Sequence, residues 1–140
     1  MTTPTTPEVR QSVVMRCVRD GMTGPMLPVV LGFRAEDPYA VSATFGTITG
    51  EIVWTFSRNL LRDGLGGAVG IGDVRVWPAV DRAGRDTVMV EFRSPDGELV
   101  VETPRADVVA FLERTMSVVP CGAESDHLDV DRIIDELLAV

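Results

Sequence analysis

From Tyr39 to Phe56 the chain reads YAVSATFGTITGEIVWTF. Apolar Tyr39, Val41, Ala43 and Phe45 alternate with Ser42, Thr44 and Gly46. Ile52, Trp54 and Phe56 repeat that period of two. Successive side chains of a strand point to opposite faces, so each run predicts a half-buried strand. Gly46-Thr47-Ile48-Thr49-Gly50 between them reads as a hairpin turn. The period then changes. Ser57 has the chemistry of an N-cap, Arg58 to Asp63 predicts a short helix, and Gly64 is placed to stop it at C′.

Working outward, Val13, Met15 and Cys17 share one face of an earlier strand. Met26 to Phe33 is an apolar run interrupted by Pro28, which suggests an edge or bulged strand. Downstream, Gly64 to Gly72 is rich in glycine and reads as a mobile connection. Asp73 to Trp77 predicts a strand ended by Pro78. Thr87 to Arg93 and Glu98 to Thr103 flank Ser94-Pro95-Asp96-Gly97, a type I turn signal that makes them a hairpin.

Two helices close the chain. Thr103 as cap and Pro104 at N1 open the first, with Val108, Val109, Phe111, Leu112 and Met116 as its apolar stripe. It ends before Pro120. The second runs from about Asp129, with Val130, Ile133, Ile134, Leu137 and Leu138 on one face. Asp126, Asp129 and Asp131 at its start suit the helix dipole. Strands first and helices last predict an α+β fold with an antiparallel sheet. Residues 1–10 read as a flexible Thr/Pro-rich arm, and residues 11–140 as a single domain.

The 13 basic residues are all arginine, against 21 acidic residues, for a net charge of −8. Such a chain repels phosphate on average, which argues against nucleic acid and against an anionic membrane surface. Cys17 and Cys121 are too few for a disulfide framework and lack metal-site spacing. No apolar run is long enough to cross a membrane, and Met1 to Pro7 does not resemble a signal peptide, so a cytoplasmic protein is expected.

No constellation carries catalysis. The glycine run lacks G-x-G-x-x-G in register, since Gly64 and Gly66 are followed by Val69, and it precedes a strand rather than a helix. The single histidine, His127, has no nucleophile in reach by sequence and reads as a surface residue. Nothing cationic beside Cys121 in sequence activates its thiol. Asp126, Asp129, Asp131, Asp135 and Glu136 lack the spacing and central glycine of a calcium loop. Trp54 shares a face with Ile52 and Phe56 and belongs to the core. Trp77 shares a face with Asp73 and Arg75 instead of Val74 and Val76. It fits an exposed position or an interface, where tryptophan is enriched. No catalytic, cofactor-binding or metal-binding residue is expected.

Several segments in order resemble the SsgA-like proteins, sporulation and cell-division regulators of actinomycetes. They are Asp37-Pro38-Tyr39-Ala40-Val41, Trp54-x-Phe56-x-Arg58-x-Leu60-Leu61 with Gly64, and Gly72-Asp73-Val74-Arg75-Val76-Trp77-Pro78. The Ser94-Pro95-Asp96-Gly97 turn and the Phe111-Leu112 helix also fit. The resemblance implies a curved antiparallel sheet of about seven strands, similar to the whirly class, with a short mid-chain helix and C-terminal helices. It also implies a homotrimer without enzymatic activity, acting at division septa as an adaptor. The partner would be the tubulin-like division GTPase or a family paralogue. A whirly-like single-strand nucleic-acid binder is the alternative. Gly66 and Gly67 stand where the family pattern leads one to expect polar residues. Arg58, Gly66, Gly67, Asp73, Arg75 and Trp77 are the candidates for a partner or subunit interface.

Overall fold

A computed structural model describes residues 7–128 and 130–139. Four strands come first: β1 Glu8–Arg19, β2 Met22–Arg34, β3 Asp37–Thr47 and β4 Gly50–Ser57. Helix α1, Arg58–Asp63, follows, then β5 Val69–Ile71, β6 Val74–Val80, β7 Asp86–Ser94 and β8 Gly97–Pro104. Helix α2 spans Arg105–Val118, a single 3-10 turn covers Glu124–His127, and α3 spans Val130–Leu138. The strands form one sheet in the order β4-β3-β2-β1-β8-β7-β6-β5. All pairs are antiparallel. Two four-stranded meanders thus meet along β1 and β8. The α+β expectation holds, with eight strands because β5 forms inside the glycine run.

Local chemistry sets the turns. Asp20 and Gly21 join β1 to β2 with φ of 52° and 74°. Positive φ at both positions is the hairpin geometry whose twist matches that of the strands. Ile48 and Thr49 join β3 to β4, where Thr47 Oγ1 donates to the Gly50 carbonyl at 2.6 Å.

Two of the strand prolines, Pro28 and Pro78, lie beside a free edge. The β2–β3 ladder begins at Val29, one residue after Pro28, while on the other side Pro28 stands opposite Val14 of β1. On the β3 side, Pro28 therefore interrupts no ladder. The β5–β6 ladder stops at Val76, so β6 continues through Pro78, opposite Val88 on β7. Pro78 does not end the strand, because no neighbour on its outer side needs its missing N–H.

Two further expectations change. Glu8 to Arg10, expected in the flexible arm, belong to β1, paired with Arg34 to Gly32. Thr103 is a buried strand residue, and Pro104 occupies the cap position of α2 with no side-chain cap bond. Their pairing with Val88 and Thr87 holds both in the β7–β8 ladder. The expected start of the last helix at Asp129 lies outside the described residues.

The core lies where the two meanders face each other. Phe92 of β7 meets Phe45 of β3 and Trp54 and Phe56 of β4, with ring centroids 5.7, 5.1 and 5.8 Å away. Those strands are far apart in the sheet order, so the sheet must curl over itself. Val108, Phe111 and Leu112 of α2 join the same core. Tyr39 and Ile52 keep the expected phase but are exposed, since they stand near the strand ends. Ile133, Ile134, Leu137 and Leu138 of α3 are also exposed.

Gly64 has a different role from the one its position suggests. Its φ is −65°, ordinary helical backbone. A Cβ there would lie 2.2 Å from Val76 Cγ1 on β6. The missing side chain is what lets α1 approach β6. Gly64→Ala should therefore destabilise the domain by about 1–3 kcal/mol, the cost of overpacking, which exceeds any gain in helix propensity. A Cβ on Gly66 would meet only the Asp63 carbonyl at 3.8 Å. Gly66→Ala should leave the urea midpoint within about 0.5 kcal/mol of the parent. Equal effects of the two substitutions would refute the close-approach explanation.

Candidate functional site

The structure divides the candidate residues. Arg58 is fully buried at the start of α1. Its Nη1 donates to the Thr115 carbonyl at 3.3 Å and to the Val119 carbonyl at 2.6 Å. Its Nη2 donates to Glu124 Oε1 at 3.0 Å. The guanidinium stands 5.0 Å from the centre of the Phe33 ring. Arg58 therefore ties α1 to the end of α2 and to the turn beyond it, and it is corrected from an interface residue to an internal clamp. Arginine suits this place because its planar fork reaches several acceptors at once. Glu124, the partner, was not apparent in the sequence, because nothing in its spacing links it to a residue 66 positions away.

Glu124 is satisfied from both sides. Its Oε2 accepts the Gly122 N–H at 2.8 Å. Its own backbone N–H is the main influence holding the carboxyl below the ordinary value of 4.5, with help from the Arg58 and Gly122 hydrogen bonds and the Arg58 charge. Burial opposes this and loses.

Gly66 and Gly67 lie in the turn after α1. The Gly66 N–H donates to the Asp63 carbonyl at 3.1 Å. Arg105 Nη1 donates to the Leu65 carbonyl at 2.7 Å, tying the turn to the start of α2. The turn is thus tied to α2, and the glycine run leads into β5, a strand where the sequence predicted only a connection. Cys121 also differs from expectation, since Arg62 Nη1 lies 2.7 Å from its sulfur. That contact joins residues far apart in sequence.

Arg75 and Trp77 do come together. They project from the outer face of β6, where the Arg75 guanidinium lies 5.8 Å from the centre of the Trp77 ring. Val74 and Val76, the alternate residues, are buried. Across the ladder, Glu91 stands opposite Arg75 and Met89 opposite Trp77. Glu91 is paired with Arg93, Nε to Oε1 at 2.9 Å. Asp73 sits at the adjoining turn, its carbonyl accepting the Arg93 N–H at 2.8 Å. The outer strip therefore presents an exposed Arg75 and a half-buried Trp77, seated over Met89 and Glu91, which are buried. Beyond Val76 its edge is open, because β5 has ended.

Among the described residues, no group of three or more His, Cys, Asp or Glu side chains is placed to hold a metal ion. No described helix is long and apolar enough to cross a membrane.

The clamp yields a stability prediction. Arg58→Ala strands a buried carboxylate and should destabilise by roughly 3 kcal/mol or more in urea unfolding. A lowered carboxyl pKa means that the unfolded chain binds a proton more readily than the folded one. The stabilisation is complete above pH 4.5 and disappears as pH falls through the lower folded value. Glu124→Gln should flatten that acid-side loss. An unchanged profile in the variant would show that Glu124 does not contribute.

The sequence profile described as "Streptomyces sporulation and cell division protein, SsgA" matches residues 27–124. A sporulation-specific cell division protein SsgB of Salinispora tropica is 45% identical over 139 residues, covering 97% of this chain and 95% of the relative. Its counterpart in Frankia casuarinae is 45% identical over 126 residues, covering 88% and 86%. The crystal structure of an SsgA-like sporulation-specific cell division protein from Thermobifida fusca superposes with a TM-score of 0.83 at 30% identity, covering 96% of this chain and 98% of that one. The motifs around Trp54 and Trp77, the eight-stranded sheet and these likenesses agree: the chain belongs to the SsgA-like family of sporulation and cell-division proteins.

Proposed function

We propose that this protein is a non-enzymatic adaptor of sporulation-specific septation. It helps to place or activate the tubulin-like division GTPase, directly or through a family paralogue. It works from the cytoplasm at division septa, as a homotrimer. The observation that carries this reading is the Arg75–Trp77 strip. Arginine and tryptophan are the residues that most often dominate protein contacts, and here they lie stacked beside an open strand edge. Family membership supplies the process, since the relatives are named for sporulation-specific cell division.

A nucleic-acid role is disfavoured by the same strip. Glu91 stands opposite Arg75, and the whole chain carries −8. A stacking platform for bases needs a positive groove along the backbone.

The test uses fluorescent fusions in sporulating hyphae together with purified protein. The parent should form regular ladders that coincide with division rings. Trp77→Ala, or the more exposed Arg75→Ala, should keep the far-ultraviolet spectrum and unfolding midpoint. Each should weaken partner capture or trimer formation about tenfold or more. Diffuse parent signal throughout sporulation would refute the adaptor. Steeply salt-dependent binding of single-stranded DNA at physiological ionic strength would favour the whirly-like alternative.

A further inference from the structure

A groove of about 720 Å³ opens on the outer face of the sheet, over the junction of the two meanders. Val14, Met26, Pro28 and Val30 supply its apolar side from β1 and β2. Val14 and Met26 are 48% and 52% exposed, unusual values for apolar side chains in the middle of strands. These residues occupy the phase opposite to the core residues Val13 and Val29, so the sequence pattern does not hide them. Opposite stand the β6–β7 loop and the start of α2.

The charges around this floor are unequal. Arg85 is held by Asp81, Nε to Oδ2 at 3.1 Å, so that pair is neutral. The Asp81 carboxylate also accepts the backbone N–H groups of Ala83 and Arg85, both at 2.9 Å, which fixes the loop. Glu51, Asp86 and Asp107 also line the groove, and their carboxylates form no ion pair with a described residue. Arg16 faces Glu102 across the β1–β8 ladder. The groove is thus an apolar floor with a surplus of negative charge at its rim.

We infer that this groove binds a basic, apolar segment of a partner protein, with hydrophobic side chains on the floor and Lys or Arg opposite Glu51, Asp86 and Asp107. A second copy of this chain fits poorly. It carries −8 overall. On its exposed apolar helix α3 Arg132 is paired with Glu136 at 3.8 Å, which leaves Asp131 and Asp135 to bring negative charge to the same rim. Charge complementarity selects the opposite sign. Apolar anchors supply the affinity and the rim sets the sign of the partner, as in other grooves that receive amphipathic segments. The inference deepens the adaptor reading and rests on it, by giving the chemistry of the partner segment.

The experiment measures fluorescence anisotropy with three labelled peptides. One is an amphipathic leucine–lysine peptide, one replaces its lysines by glutamate, and one replaces its leucines by serine. The leucine–lysine peptide should bind saturably and the other two at least tenfold more weakly. Met26→Ser should weaken binding about tenfold. The double variant Glu51→Gln, Asp86→Asn should weaken it several-fold and reduce its salt dependence. Both residues are exposed, so the fold is retained. Glu113→Gln with Asp96→Asn makes the same change in net charge away from the groove and should have no effect. Equal losses from both double variants would mean diffuse attraction and overturn the inference. So would self-association that Met26→Ser abolishes, since the occupant would then be a second copy. Parent ladders at septa combined with no selective peptide binding would reject the groove and leave the adaptor intact. Absence of ladders would reject the adaptor itself.

Discussion

The two meanders share only a short ladder, in which Arg16 pairs with Glu102 and Cys17 with Val101. So few pairs do not hold two sheets in one fixed relation. The packing around Phe92 does that. Its ring meets Phe45, Trp54 and Phe56 from the other meander, two of them edge-on or nearly so. Each such pair contributes about 0.5–1.5 kcal/mol beyond burial, because the positive edge of one ring meets the negative face of the next. Curling the sheet to make these contacts creates a single core.

The helices depend on that core in turn. α1 is only six residues long, too short to persist alone. Ser57 caps it, Leu60 and Leu61 bury its inner side, and the bare Cα of Gly64 lets it approach β6. Arg58 then extends from its first turn to the end of α2 and to Glu124. A buried ion pair costs desolvation, so its value lies in geometry more than in net stability. It fixes the angle at which the C-terminal segment leaves the domain. The exposed apolar face of α3 follows that exit.

The outer surface is where function is sought. It carries two features of different chemistry. The Arg75–Trp77 strip sets a guanidinium beside an aromatic ring, while the groove beside Val14 and Met26 is apolar with an acidic rim.

The period-two alternation of residues 39–56 and the Ser57 cap were legible because each depends on near neighbours in the chain. The outward phase of Trp77 was legible for the same reason: it is out of step with Val74 and Val76. Asp20-Gly21, the two-residue turn between β1 and β2, is equally local. Other features were not local. Pro78 reads as a strand end until the missing outer neighbour is known. Arg58 reads as a surface charge until Thr115, Val119 and Glu124 are brought around it. Gly64 reads as a cap until Val76 is seen against it. By itself the sequence determined most of the elements, though not β5, together with their faces and the family, because those rest on spacing along the chain. Only the tertiary structure decided which charge is buried and which apolar residues remain exposed, because both depend on contacts between residues far apart in sequence.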